Sequence, residues 1–231
     1  MPSSHQPLHV LYEDNHLLVV NKPAGLATMG VGPDRTSLLD LAKEYIGKKH
    51  NKPGNVYLGI VSRLDAPVTG VVITARTSKA ASRLSASFRQ RTVEKVYWAV
   101  VDGQVEPSTV RLEHYLRKDE RHRRVHTTHA DCPGAQFAWL DYSVLNSNQQ
   151  YSLLEVRPGT GRKHQIRVQL AAHHCPIAGD RKYGSDTSFP QGIALHARRL
   201  SLQHPVRDER MQFEAPLPAA WQKLKLIRTL L

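Results

Sequence analysis

Asp65 is the first residue of this chain with a claim on chemistry. It lies in Arg63-Leu64-Asp65, between the apolar runs Tyr57–Val61 and Gly70–Ala75 and just ahead of Pro67 and Gly70. A carboxylate held where strands emerge into a turn is well placed for chemistry. The same position suits an aspartate that only bonds its own backbone, the commoner fate of turn aspartates. Tyr97 stands inside the strand-like run Val93–Asp102, on the face it shares with Lys95 and Ala99. Alone, it reads as a core tyrosine with a bonded hydroxyl. The third piece is Gly161-Arg162-Lys163-His164-Gln165-Ile166-Arg167. A loop running into a helix there offers backbone N–H groups and cations to phosphates. Arg162 and Lys163 also fit a solvated helix face. Arg167 falls one turn beyond Lys163, beside Ile166 and Val168, and a guanidinium held near a core calls for a carboxylate partner.

These residues need elements to position them. Leu8–Tyr12 and Leu17–Asn21 read as strands turning at Glu13-Asp14-Asn15, and Lys22-Pro23-Ala24-Gly25 stops the second. Thr36 and Ser37 cap a helix through Ile46 that ends at Gly47, and Ser78–Gln90 has the apolar spacing of another. Ala135–Leu145 and Tyr151–Val156 pair as a hairpin around Asn146-Ser147-Asn148. Gly161–His174 is the loop and helix carrying Arg167. Ala194–Gln203 and Glu209–Glu214 are late strands, and Pro218–Leu231 closes with a helix. Many strands with few helices and no regular βαβ alternation predict an α+β fold built on a mixed, largely antiparallel sheet. No repeat or linker divides the 231 residues, so one domain over 1–231 is expected.

The formal net charge is +12, which favours a nucleic-acid partner over a neutral one. Its densest run, Arg117–Arg124, reads RKDERHRR and suggests a flexible contact loop or a merely solvated one. No apolar stretch approaches membrane-spanning length and the first residues lack a secretory core. Cys132 and Cys175 form no paired motif, which fits a reduced, cytoplasmic chain, with a single disulfide as the alternative. No phosphate-binding or dinucleotide loop is present, so no nucleotide cofactor is expected. His122, His126 and His129 lie among cations that oppose a metal, so no metal is expected either.

Taken together, the motifs resemble one family. Tyr12-Glu13-Asp14 with Val20-Asn21-Lys22-Pro23-Ala24-Gly25, Arg63-Leu64-Asp65 with Thr69-Gly70, Glu94–Val100 around Tyr97, Gly161–Ala171 followed by Pro176–Asp180 and Tyr183-Gly184, and Leu195-His196-Ala197 with His204-Pro205 occur in the order found in the RluA-type RNA pseudouridine synthases. The similarity runs from about Leu8 to the C-terminal helix. It departs at Ser62, where the family has histidine, at Ala66–Thr69, and at Lys163, where threonine is usual. No segment ahead of Leu8 is long enough for the S4-type RNA-binding domain that many members carry.

The resemblance implies a pseudouridine synthase catalytic fold with a cleft across its sheet. It implies isomerisation of uridine to pseudouridine in ribosomal or transfer RNA, by a monomer without cofactors. Asp65 would be the nucleophile or base. Arg167 would pair with it and Tyr97 would stack on the uracil. Arg63 would fill the vacated stack or hold the backbone, with Lys22, Arg162, Lys163, His164, Gln165 and the cations Arg117, Lys118, Arg121, Arg123 and Arg124 holding RNA. Two other classes stand beside this: an RNA-binding protein without catalysis on the same scaffold, and a glycosidic hydrolase, which needs a second flanking carboxylate that no motif here supplies.

Overall fold

Two runs with no polar alternation, Leu17–Val20 and Val71–Ile73, build the N-terminal half of the chain because each is buried on both of its faces. The computed structural model describes residues 7–32, 34–223 and 229–230. The chain divides into two compact units, Met1–Val93 with Arg199–Pro216, and Glu94–Arg198 with Leu217–Leu231. In the first, β1 (His9–Glu13) and β2 (Leu17–Lys22) form an antiparallel hairpin. β2 pairs in turn with β4 (Thr69–Ala75), from Leu17 opposite Ala75 to Lys22 opposite Gly70. The two-residue β3 (Gly59–Ile60) pairs with the end of β4.

α1 (Leu38–Lys49) brings Leu38, Ala42 and Ile46 to Leu18, Val20 and Val72. α2 (Ser78–Arg89) brings Ala80 and Leu84 to Leu17, Val19, Val71 and Ile73, a cluster that also takes Leu200, Leu202 and Phe213. Successive strand residues thus feed different clusters, so the strands show no polar face. Leu200, Leu202 and Phe213 come from the antiparallel pairing of the second half of β10 (Leu195–Gln203) with β11 (Arg210–Glu214).

Ser37 caps α1 in a reciprocal capping box with Asp40. The helix continues past Gly47, its expected end, to Lys49. The extra turn is held because Glu13, at the end of β1, binds Lys49 Nζ at 2.8 Å and His50 Nε2 at 2.6 Å. Tyr45 Oη also donates to the Glu13 carboxylate, at 2.9 Å, and so does Arg76 Nη1, at 2.8 Å. Burial raises the Glu13 carboxyl, but the bonds from Lys49, His50 and Tyr45 and the charge of Arg76 outweigh it and hold the group at about 2.

In the second unit the strand order is β5 (Glu94–Asp102), β9 (Tyr151–Pro158), β8 (Gln136–Ser147), β6 (Thr109–Asp119), β7 (Arg124–Thr128), every pairing antiparallel. α3 (Gln165–Ala172) covers one face, with Val168 and Ala171 against Leu116, Val125, Ala138 and Tyr183. α4 (Ala219–Lys223) contributes the fully buried Trp221, edge-on to Phe189 and His196. The rest of the helix expected to run to Leu231 falls largely outside the described residues. Largely antiparallel pairing with four α-helices among the described residues agrees with the α+β expectation. No described helix is long and apolar enough to cross a membrane.

The segment 117–124, expected as a flexible loop, is instead strand, turn and strand. Arg117 and Lys118 belong to β6, residues 120–123 turn, and Arg124 opens β7. The charges hid an ordinary hairpin whose buried anchors are Leu116 and Val125. Asp119 fastens the turn by accepting the His122 N–H at 2.9 Å.

Because Glu13 titrates near 2 when folded and near 4.5 when free, its contribution is fully present above pH 4.5 and is lost as pH falls toward 2. Glu13→Gln is therefore expected to lower the unfolding free energy by roughly 2–3 kcal/mol at pH 7. In urea titrations the gap from wild type should close as pH falls through that window. A gap independent of pH would contradict the assignment.

Candidate active site

Asp65 sits at the head of the turn Ala66-Pro67, and the backbone around it is fastened to the loop that follows β2. Thr28, itself buried, donates its hydroxyl to the Leu64 carbonyl at 2.9 Å and accepts the Leu64 N–H at 3.1 Å. The Gly25 N–H donates to the Ala66 carbonyl at 2.8 Å, and the Asp65 carbonyl accepts the Val68 N–H at 3.0 Å. Gly25 does this at φ 81°, where a side chain would be strained.

Lys22 completes the fastening. Its Nζ lies 2.9 Å from the Pro23 carbonyl, 2.7 Å from that of Leu26 and 3.1 Å from that of Ala66. Three acceptors match the three N–H bonds of an ammonium group. Burial pulls this amine down to about 7, while the charge of Asp65 pulls it up. The side chain has no exposed surface, so the expectation that Lys22 contacts RNA is corrected: it holds the Asp65 turn from inside.

Ser62, two residues beyond β3, bonds the backbone of β4. Its Oγ lies 3.4 Å from both the carbonyl and the N–H of Ile73 in β4, continuing with a hydroxyl the pairing that β3 ends at Ile60–Thr74. Arg63 is exposed and Asp65 partly so.

Tyr97 and Arg167 belong to the second unit. Tyr97 is partly buried in β5, opposite Val156 of β9. Arg167 is buried in the first turn of α3, with Nε and Nη2 donating to the two carboxylate oxygens of Asp180 at 2.7 and 2.9 Å. Lys163 precedes the helix and is exposed, so the expected shared helical side is corrected. The guanidinium groups of Arg167 and Arg124 lie 5.0 and 5.2 Å from the Tyr183 ring. Tyr183 Oη accepts the Val125 N–H at 3.1 Å and lies 2.7 Å from His164 Nδ1. Tyr183 thus ties the start of β7 to the residue that precedes α3.

Gln165, expected as an RNA contact, is also corrected. It is buried, its carbonyl accepting from Thr160 Oγ1 at 2.7 Å and the Arg162 N–H at 2.9 Å, its amide donating to the Trp139 carbonyl at 2.9 Å. It shapes the loop that presents Arg162, Lys163 and His164. Asp180 and Tyr183 were quoted in the sequence only as parts of a motif; the structure gives them partners.

The cations of the hairpin differ in their freedom. Lys118 pairs with Glu120, and Asp119 with His122 and His126. Among the described residues, no ion pair engages Arg117, Arg121, Arg123, Arg162 or Lys163, all exposed. No group of histidine, cysteine or acidic residues among the described residues is arranged to hold a metal. Both cysteines are free, and burial pushes the Cys175 thiol up to about 12.

Comparison with known proteins gives a consistent result. The family described as RNA pseudouridylate synthase matches residues 16–172. An RNA pseudouridine synthase of Bacillus subtilis is 33% identical over 222 residues, covering 94% of this chain and 71% of the relative. Ribosomal large subunit pseudouridine synthase D of Xanthomonas campestris is 35% identical over 235 residues, covering 94% and 68%. Among solved structures, human RNA pseudouridylate synthase domain containing 4 superposes with a TM-score of 0.79 at 28% identity, covering 95% of this chain and 93% of that one.

Asp180→Ala would leave the buried Arg167 guanidinium without this partner. Breaking such a pair typically costs about 3–5 kcal/mol, so the urea midpoint should fall sharply. A midpoint equal to wild type would show that the pair holds nothing.

Proposed function

The chain belongs to the RNA pseudouridylate synthase family, and from that premise we propose that it isomerises a uridine of ribosomal or transfer RNA with Asp65 as the catalytic carboxylate. Members of this family are isomerases acting on RNA. The observation that carries the assignment of Asp65 is the fastening of its turn. Lys22, Gly25 and Thr28 all bind the backbone of Leu64 or Ala66, which fixes the carboxylate's origin while leaving the side chain partly exposed. Preorganisation of this kind is what a reacting group needs. The naming of several relatives for the large ribosomal subunit favours ribosomal RNA among the substrates.

The reaction breaks the C1′–N1 bond, turns the uracil, and joins C5 to C1′. The hydrogen of C5 leaves to solvent and N1 gains one, so no oxidant, reductant or energy source is consumed. The uridine must first leave its stack. Asp65 acts on the ribose as nucleophile or base. Following the resemblance, Arg167 keeps that carboxylate ionised, Tyr97 stacks on the extruded uracil, and Arg63 holds the RNA near the vacated position. Arg162, Lys163, His164, Arg117, Arg121 and Arg123 supply contacts to phosphate.

The test is pseudouridine formation in RNA lacking the modification, mapped chemically after incubation with wild type or Asp65→Asn. Wild type should modify a defined uridine and the variant none, with both melting alike. Turnover by Asp65→Asn comparable to wild type would sink the assignment. Release of free uracil would indicate hydrolysis instead.

A further inference from the structure

Two large aromatic rings are left on the surface of the second unit where no core needs them. Tyr115 of β6 and Phe137 of β8 are 37% and 39% exposed. They are direct cross-strand partners, with ring centroids 5.5 Å apart. Alternation along β6 turns Leu112 and Leu116 inward and leaves Arg111, Glu113, Tyr115 and Arg117 outward. The pair therefore lies on the face opposite the buried residues that meet α3. Its next neighbour on β8, Trp139, is covered by the Arg111 guanidinium at 4.3 Å, whereas the two rings have solvent over them.

The surroundings are cationic. Arg117 follows Tyr115 on the same face, with His126 opposite it on β7. Arg162 runs along the edge of β8, its Nε donating to the Phe137 carbonyl at 3.2 Å. Arg111 is paired with Asp141; the outward carboxylates of β6 are Glu113 and Asp119, and Asp119 is engaged by His122 and His126. Two rings cover far too little area for a stable protein contact, which takes roughly 800 Å² per partner. A second copy of a chain with net charge +12 would also be repelled. Two aromatic rings tilted by 57° to one another offer a base a face and an edge, and the cations on either side match the phosphates that flank it.

We infer that Tyr115 and Phe137 form a stacking surface for an unpaired base of the substrate RNA, with Arg117 and Arg162 meeting the adjoining phosphates. The inference rests on the reading of this chain as an enzyme acting on RNA and extends it with a contact at a base, where the hairpin cations serve only phosphates. Such a contact is tolerant of sequence, because every base has a π-face, but it selects unpaired over paired RNA.

The experiment measures binding of fluorescein-labelled oligouridylate of about 12 nucleotides, and of a duplex of equal length, across a salt series. Tyr115→Ala/Phe137→Ala should weaken oligouridylate binding about 10-fold or more with the salt slope unchanged and duplex binding little altered. Tyr115→Thr/Phe137→Thr, which suits strands better, should behave alike and guards against misfolding; Tyr115→Phe should retain affinity. Arg117→Ala/Arg162→Ala should instead flatten the salt slope, by about 1 per contact. Equal oligouridylate affinity of wild type and the two variants that replace both rings, with equal melting, overturns the inference while leaving the RNA reading standing. A change of sedimenting mass without a change of affinity overturns it in favour of self-association. Failure of wild type to bind either RNA at low salt overturns the RNA reading as well.

Discussion

The ammonium group of Lys22 sits where no water reaches it, and the geometry of the first unit's site follows from satisfying it. β2 and β4 are packed by helices on both faces, so the chain leaving β2 must turn inside a dry environment. Backbone carbonyls there need donors, and a single ammonium supplies three of them at once: Pro23, Leu26 and Ala66. Two of those carbonyls belong to the loop after β2 and the third to the turn of Asp65. A fully buried side chain thereby ties the carboxylate's turn to the sheet. Its burial is costly, as the lowered affinity of the amine for its proton shows, and the charge of Asp65 offsets part of that cost.

The second unit solves a related problem with an ion pair. Arg167 enters the core on α3 and meets Asp180 with both ends of its fork, the geometry in which arginine is strongest. Tyr183, one turn of 3-10 helix beyond Asp180, then joins three elements: its ring takes Arg167 and Arg124, and its hydroxyl takes the backbone of β7 and the ring of His164. The basic hairpin is thus seated on α3 by the same residues that orient the arginine. The hairpin's Arg124 and the buried Arg167 thus share one support, the Tyr183 ring.

Much of this was legible in the residues. Leu17–Val20 and Val71–Ile73 declared buried strands, Ser37 declared the start of α1, and Asn148 marked the β8–β9 turn, where its side chain accepts the N–H groups of Gln150 and Tyr151. The hairpin of β6 and β7 was not legible, because strands with charged residues on their outer faces read like a solvated loop and the inward residues Leu112, Leu116 and Val125 are few and spread apart. Lys22 and Gln165 were expected as RNA contacts from the motifs in which they stand and their polar type. Whether a polar side chain faces water or a carbonyl is a matter of tertiary packing, although Lys22 alternates with Leu18 and Val20 on one face of its strand, a hint of burial. Asp180 also left a signal, as the sole acidic residue between Gln169 and Tyr183.

The central claim is that this chain joins C5 of a uracil to C1′ of its own ribose. Forming that bond expels the hydrogen of C5, so the most direct measurement follows tritium placed at C5 of the uridines in unmodified ribosomal and transfer RNA. The account predicts that tritium enters water in step with pseudouridine formation, with the RNA chain intact and no free uracil. Tight binding of these RNAs with the tritium fully retained would contradict it.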